Sequence, residues 1–469
     1  MADYYFDGDN GNNTTGAGSE ASPYKSIKAS TVGGIFNPAN ARFFIKRGTT
    51  VLMAGEIHPN ATFTLTSYGP TTDPKGRVVY NSGGSYFLAC GTGASAGQEV
   101  VFDSIILEDA VASAASAVYQ NAGNSAKIIV RDCEIEGFSN GVMTQGGNGH
   151  QVLRNNMTGM SNCGVIFEHT AAAAPSNTLC EDNYIDCTNA LNDGIVYHAG
   201  TSDGLGNIAR HNTIISGLEQ GIDVLSMYPG TLLERNVIYA NPAATTSWSD
   251  IYCAGANSVI KHNLVFAGNR IGIYLNGAAV NVKYNTVISA MGGGLSPLIY
   301  CVSGNNPQVV GNYLVNKSGF ASSELLVAGG INLGTMKNNI FVNYSASTSS
   351  RFAAWLTLAD LYTWDIDNNY YVQMPGSHAT SWLGNRSFAQ WNALTGSPDS
   401  GTGIVANSTP LIVPVYQAIG QRFNLKRLFT LASDSPLIGV GSHINYAVDL
   451  NGKQFWNPPA IGPVDYKRP

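Results

Sequence analysis

An all-β solenoid, a coil of short parallel strands stacked rung upon rung, is the fold class this sequence predicts, on three observations. A five-residue unit recurs at a near-constant pitch. Strand-length segments punctuated by Gly, Asn and Ser fill the intervals, and none shows a helical period. Charged residues make up only 12% of the 469, against 44% hydrophobic ones, so the polar surface must come largely from Asn, Ser, Thr, Gly and Tyr.

The unit is clearest at Arg210-His211-Asn212-Thr213-Ile214, Glu234-Arg235-Asn236-Val237-Ile238, Lys261-His262-Asn263-Leu264-Val265, Lys283-Tyr284-Asn285-Thr286-Val287 and Lys337-Asn338-Asn339-Ile340-Phe341. Its third position falls at Asp103, Cys133, Asn156, Asn183, Asn212, Asn236, Asn263, Asn285, Asn312, Asn339 and Asn369, at gaps of 22 to 30 residues. Each gap holds one rung, and rungs stack about 4.8 Å apart. Asn suits the bend because it tolerates left-handed backbone angles, and its amide can bond to the same residue one rung away. The Asn column is therefore expected to be structural.

With these residues in register, the chain resembles the pectate-lyase-like superfamily of right-handed β-helix proteins over residues 100 to 370. The opening Tyr5-Phe6-Asp7-Gly8-Asp9-Asn10-Gly11 with Gly16 to Ile27 is similar to the N-terminal start and cap of bacterial and phage members. Ser435-Pro436-Leu437-Ile438-Gly439 through Asp449-Leu450-Asn451-Gly452-Lys453 to Tyr466 is similar to their C-terminal ending. The resemblance implies a single right-handed parallel β-helix that acts on a polysaccharide, by lyase or hydrolase chemistry, as a depolymerase of the phage tailspike kind. A carbohydrate-binding or adhesive β-helix without catalysis and a uronan epimerase are the alternatives.

The expected organisation is an N-terminal strand and cap over 1–35 and a β-helix over 36–370. Strand signals in its irregular first turns run from Phe43 to Leu52 and from Thr62 to Ser67. A C-terminal segment over 371–469, carrying Trp382, Trp391 and Trp456, is expected to cap the open end of the coil, because an uncapped solenoid exposes a sticky edge.

Two outward columns follow from the register. The first, two places before each ladder position, reads Arg131, Arg154, Glu181, Arg210, Glu234, Lys261, Lys283 and Lys337. Alternating signs on adjacent strands make a charge ladder; the functional alternative is a basic strip for an acidic polymer, centred on Lys261 and Lys283.

The second column follows a Gly-aliphatic strand that recurs at Gly141-Val142, Gly164-Val165, Gly194-Ile195, Gly221-Ile222 and Gly272-Ile273. Alternation buries the aliphatic residue and exposes its neighbours. One face then offers Glu168, His198 and Asp223 on successive rungs, followed by Tyr252, Tyr274 and Tyr300, with Asn276 beside them. Carboxylates beside a histidine are the materials of general acid and base catalysis. Stacked rungs would set Glu168 and Asp223 about 10 Å apart, near the roughly 6.5 to 9.5 Å used by inverting hydrolases. Tyrosines present apolar faces and hydroxyls that suit sugar rings. Candidate catalytic residues are thus His198, Asp223 and Glu168; candidate substrate contacts are Tyr252, Tyr274, Tyr300, Asn276 and Lys261.

In the mannuronan epimerases and alginate lyases of the superfamily, catalytic Asp and His follow a similar turn, and the matching positions here are His198 and Asp223. Their Asp-Pro-His pattern is absent, as are the NTD, DD and GHG motifs of polygalacturonases. Asp193, in Asn-Asp-Gly, reads as turn chemistry, and His150 and His169 read as solvated residues at strand ends.

Other function classes recede. A net charge of −6 provides no basic face for nucleic acid, and no run of 18 apolar residues marks a membrane span. Met1 to Asp7 lacks the pattern of a signal peptide, so action outside the cell or on a virion is expected without one in this sequence. Seven cysteines without CxxC pairs read as buried thiols. No nucleotide, zinc or EF-hand motif occurs, so no metal or cofactor is expected; calcium, which many related lyases use, has no spacing motif here. The partner expected is a polysaccharide, met by a monomer or a homotrimer.

Overall fold

The structure, a computed structural model, describes residues 1–28, 40–59, 61–81, 86–90, 97–111, 116–121, 126–168, 175–198, 203–241, 249–268, 270–289, 297–304, 306–317, 323–331, 333–344, 351–355 and 363–373. The expected cap over 371–469, with Trp382, Trp391 and Trp456, lies outside the described residues except for its first three, and so does His169. Among the described residues the named strands pair in parallel, and no helix is long and apolar enough to cross a membrane.

Two compact units divide the chain, Met1–Gly217 and Leu218–Pro469, and each is a β-solenoid built on three parallel sheets. In the first unit a turn runs through Lys127–Arg131 in the first sheet, Glu134–Glu136 in the second and Asn140–Gln145 in the third, then returns to the first at Gln151–Leu153. In the second unit Val259–Lys261, Leu264–Ala267 and Ile271–Leu275 make the same circuit before Asn281–Lys283. The N-terminal strand Ala2–Phe6 pairs in parallel with Ala41–Lys46.

Alternation builds the interior. Ile128, Val130, Ile135, Val142, Val152 and Met157 point inward and are fully buried, as are Ile260, Val265, Ile273, Val282 and Val287 in the second unit. Burial of this kind contributes roughly 1.5 to 3 kcal/mol per side chain. The recurring glycine before the aliphatic residue has a steric cause. A Cβ on Gly164 would collide with Ile185 and lie 2.7 Å from the Gly194 carbonyl oxygen; on Gly272 it would meet Val287 and lie 2.7 Å from the Leu298 carbonyl.

The Asn column forms the expected ladder. Asn183 donates its side-chain amide to Oδ1 of Asn212 at 2.9 Å and to the Val152 carbonyl at 2.8 Å. Asn263 does the same toward Asn285 at 3.0 Å and Leu233 at 3.0 Å, and the series continues through Asn312 and Asn339 to Asn369.

Two features of the predicted register are corrected. The rung before Asn183 is Asn155, not Asn156, because Asn155 makes the 2.9 Å bond to Asn183. Leu153 therefore replaces Arg154 in the charge column, and Arg154 pairs with Asp132 at 2.6 Å instead. Asp103 stands opposite Arg131 in the strand register, so it belongs to the charge column and not to the ladder. The left-handed angle, moreover, belongs to the residue before each ladder position: φ is +54° at Asp132 and Arg154, +56° at Asp182, +58° at His211 and +57° at His262 and Tyr284. That conformation costs roughly 1–2 kcal/mol in a side-chain-bearing residue, and the hydrogen bonds of the following Asn fix the bend that requires it.

The second sheet differs between the units. In the first its outer positions at Glu134, Glu136, Asn156, Thr158, Tyr184 and Asp186 are half-buried and mostly polar, while Ile106, Thr213 and Ile215 are buried. In the second, Tyr239, Phe266, Leu264, Tyr313, Ile340 and Tyr370 occupy them and are buried, with Tyr239 stacked on Phe266 at 5.0 Å. The strands there are buried on both faces, as in parallel sheets covered on both sides.

Candidate functional site

The outer face of the third sheet carries most of the predicted site. In the first unit, Cys163–Glu168 lies in register between Asn140–Gln145 and Ile195–His198, which places Glu168 opposite both Gln145 and His198. Glu168 Oε2 accepts from the Gln145 amide at 2.6 Å, and its Oε1 lies 3.9 Å from Nδ1 of His198. Tyr119 donates its hydroxyl to Gln145 Oε1 at 2.8 Å. A chain of contacts thus runs from Tyr119 through Gln145 to Glu168, fixing one carboxylate oxygen and leaving the other toward His198. The His198 side chain is 53% exposed and that of Glu168 24% exposed, so both are reachable from solvent. Sequence reasoning missed Gln145, because the Gln145–Glu168 contact appears only with the rungs in register.

In the second unit Asp223 stands opposite Tyr252, Tyr252 opposite Tyr274, and Tyr274 opposite Tyr300. The Tyr252 and Tyr274 rings stack with centroids 5.3 Å apart at 22°, and Tyr300 meets Tyr274 edge-on at 5.4 Å and 81°. Burial and the neighbouring phenols Tyr252 and Tyr300 hold the Tyr274 hydroxyl above its ordinary pKa, so it remains a neutral donor. Asn276 donates to the Tyr252 hydroxyl at 2.8 Å and in turn accepts from the Ser303 hydroxyl. The row is a half-buried aromatic platform with the Tyr252 hydroxyl held by an amide. Asp223 itself is 9% exposed and faces outward between the core residues Ile222 and Val224.

Lys261 is not with these residues. It lies on the first sheet, 3.4 Å from Glu234. Its neighbour Lys283 is largely buried, and desolvation pushes that ammonium down to about 8. Elsewhere on the first sheet Arg131 meets Asp103 at 2.7 Å, Arg210 meets Glu181 at 2.8 Å and Lys337 meets Asp365 at 2.6 Å. At these positions the column is the charge ladder of the first reading, whereas Lys283 stands opposite a like charge at Lys261.

His150 corrects another expectation. It is fully buried, with Nδ1 accepting from the Ile128 N–H at 3.0 Å and Nε2 2.6 Å from the Gly146 carbonyl, which assigns the proton to Nε2. Burial pushes its pKa down to about 4. Asp193 is buried at its bend. Cys133, Cys163, Cys180, Cys187, Cys253 and Cys301 are buried free thiols, and desolvation raises the pKa of Cys133 and Cys253 to about 12, far from the reactive thiolate range. Among the described residues no three His, Cys, Asp or Glu side chains gather in a way that could hold a metal ion.

These features define a parallel β-helix with a carboxylate, a histidine and a tyrosine row on outward faces of one sheet type. No known protein family matches the sequence, and no curated protein does. Among solved structures the chain is similar to PfbA, a surface adhesin of Streptococcus pneumoniae, with a TM-score of 0.51 and 11% identity over 70% of this chain and 85% of that one. It is similar also to the PL6 family alginate lyase AlyGC, with a TM-score of 0.51 and 12% identity over 93% of this chain and 57% of the lyase. The likeness is one of fold.

Proposed function

We propose that this protein cleaves glycosidic bonds of a polysaccharide laid along the outer face of the third sheet, acting outside the cell or on a virion, as a monomer or homotrimer. The observation that carries the reading is the stacked row of Tyr252, Tyr274 and Tyr300, with the carboxyl of Asp223 in the same register. Sugar rings offer C–H faces to such rings and hydroxyls to Asn276 and the phenols. In this reading, within the second unit, Asp223 is the carboxyl at the end of the platform; within the first unit, taken by itself, Glu168, oriented by Gln145, and His198 are the pair able to exchange a proton.

A second reading, sugar binding without cleavage, is favoured by the likeness to the adhesin, which equals that to the lyase. Incubation with a panel of capsular, uronic and neutral polysaccharides separates the two. Cleavage would appear as new reducing ends or as absorbance near 235 nm from an unsaturated product. Retained binding with neither signal would establish the adhesive reading. If cleavage is seen, His198→Ala, Glu168→Gln and Asp223→Ala should each lower it at least a hundredfold with circular dichroism unchanged; undiminished activity would remove these residues from the mechanism.

A further inference from the structure

Resting on the polysaccharide reading, we infer that the tyrosine row of the second unit divides its work: a sugar ring stacks on the face of Tyr300, whereas Tyr252 and Tyr274 meet the polymer with their hydroxyls. The three rings stand on successive strands, Tyr252 opposite Tyr274 and Tyr274 opposite Tyr300. Their centroid separations of 5.3 and 5.4 Å barely exceed the spacing of about 4.8 Å between rungs. The row of rings therefore runs from strand to strand, with Tyr252 to one side of Tyr274 and Tyr300 to the other.

Ring planes decide what each tyrosine can offer. Tyr252 and Tyr274 are inclined by only 22°, and rings at that separation are too close to lie side by side in one plane. Each turns a face to the other, which leaves edges and hydroxyls for a ligand arriving from solvent. Tyr300 is rotated by 81° against Tyr274. It meets the far side of Tyr274 with its edge, so its own faces look across the row instead of along it. The C–H face of a sugar ring needs an aromatic face, and among the three tyrosines Tyr300 is the one that does not turn its face to a neighbouring ring.

The two ends of the row differ in the same sense. On the rung beyond Tyr300 stands Leu326, half-buried between the core residues Leu325 and Val327, and it extends the apolar surface on which a ring can rest. At the other end Tyr252 stands opposite Asp223, and its hydroxyl is tied to the Asn276 amide at 2.8 Å. A phenol oxygen held in place suits a directed hydrogen bond to a sugar hydroxyl. Three rungs separate Asp223 from Tyr300, a distance of about 14 Å, which is longer than a single sugar ring. The stacked sugar is thus an anchor set apart from the carboxyl, and the sugars between them meet hydroxyls.

The test is affinity electrophoresis of the full chain in native gels cast with galactomannan, xylan, dextran, alginate, polygalacturonate or hyaluronate, with circular dichroism to check the fold of each variant. A polymer that retards the parent chain is expected to be held about tenfold more weakly by Tyr300→Ala, within about twofold by Tyr300→Phe, and severalfold more weakly by Tyr252→Phe and by Tyr274→Phe. Tyr300→Leu, which fills the space without an aromatic face, takes the place of Tyr300→Ala if that variant does not fold. Parental retention in the variant lacking the ring at 300, an equal loss in Tyr300→Phe, or full retention in both Tyr252→Phe and Tyr274→Phe overturns the inference and leaves the polysaccharide reading standing. Retention of the parent by none of the polymers removes that reading, and this inference with it.

Discussion

Asn155 donates its side-chain amide to Oδ1 of Asn183 at 2.9 Å and to the Val130 carbonyl at 2.9 Å, while Asn156, one residue on, occupies a half-buried outer position of its strand. Asn155→Ala would strand the Val130 carbonyl and remove the acceptor of the Cys133 N–H. A loss of about 3 kcal/mol is expected in urea unfolding. Asn156→Ala should stay within roughly 0.5 kcal/mol; equal losses at the two positions would contradict this register.

His150 makes the fold sensitive to acid. Its folded pKa of about 4 lies below the ordinary 6.5, so at falling pH the unfolded chain takes up the proton first. Its contribution is complete above pH 6.5 and declines as pH drops toward 4, by up to about 3 kcal/mol. His262, pushed down to about 3, acts in the same direction. His150→Gln should unfold with a shallower loss between pH 6.5 and 4 than the parent chain, and an identical slope would refute the assignment.

Glu324 has the opposite sign. It is fully buried, accepts from the Asn343 amide at 2.9 Å, and burial raises its pKa well above the ordinary carboxyl value. The fold prefers the protonated acid, so stability is lost as pH rises through the folded pKa. Glu324→Gln keeps the neutral shape and an acceptor for Asn343. Its melting temperature should exceed that of the parent at pH 8 by more than at pH 4.5; a gain that did not grow with pH would count against a protonated Glu324.

Arg270 and Asp250 are both fully buried, 3.2 Å apart, with the arginine also donating to the Glu219 carbonyl. Removing one partner leaves the other charge buried and should cost about 3–5 kcal/mol, whereas replacing both with apolar residues costs less than the sum. Arg270→Met, Asp250→Leu and the double variant form the cycle, and additive losses would show the two to be uncoupled.

Tyr274 separates binding from folding. It is half-buried between Tyr252 and Tyr300, so Tyr274→Ala should shift unfolding by roughly 1 kcal/mol or less while weakening sugar retention severalfold. Unchanged retention would remove the platform from the site.

The solenoid, its pitch and its Gly-aliphatic strands were legible because each rung repeats one pattern of inward Val, Ile and Leu. The tyrosine row was legible for the same reason: period-two alternation and a near-constant pitch set Tyr252, Tyr274 and Tyr300 in line. A one-residue ambiguity was enough to misplace a rung where two asparagines stand together, and Asn155-Asn156 was such a place. His150 was misread because a strand-end histidine looks alike in sequence whether or not the next coil covers it. The Gln145 contact to Glu168 joins residues 23 apart, and no local pattern announces it.

By itself, then, the sequence determined the fold class and which residue types face outward on each sheet, since alternation and pitch are properties of a linear string. The tertiary structure alone decided which outward residues meet. It moved Arg154 out of the charge column and into a pair with Asp132, and it set Asp365 against Lys337. It also gave Glu168 its bond from Gln145. The reason is geometric: which side chains meet across rungs depends on the length of every bend and loop between them, and that sum is fixed only when the coil closes.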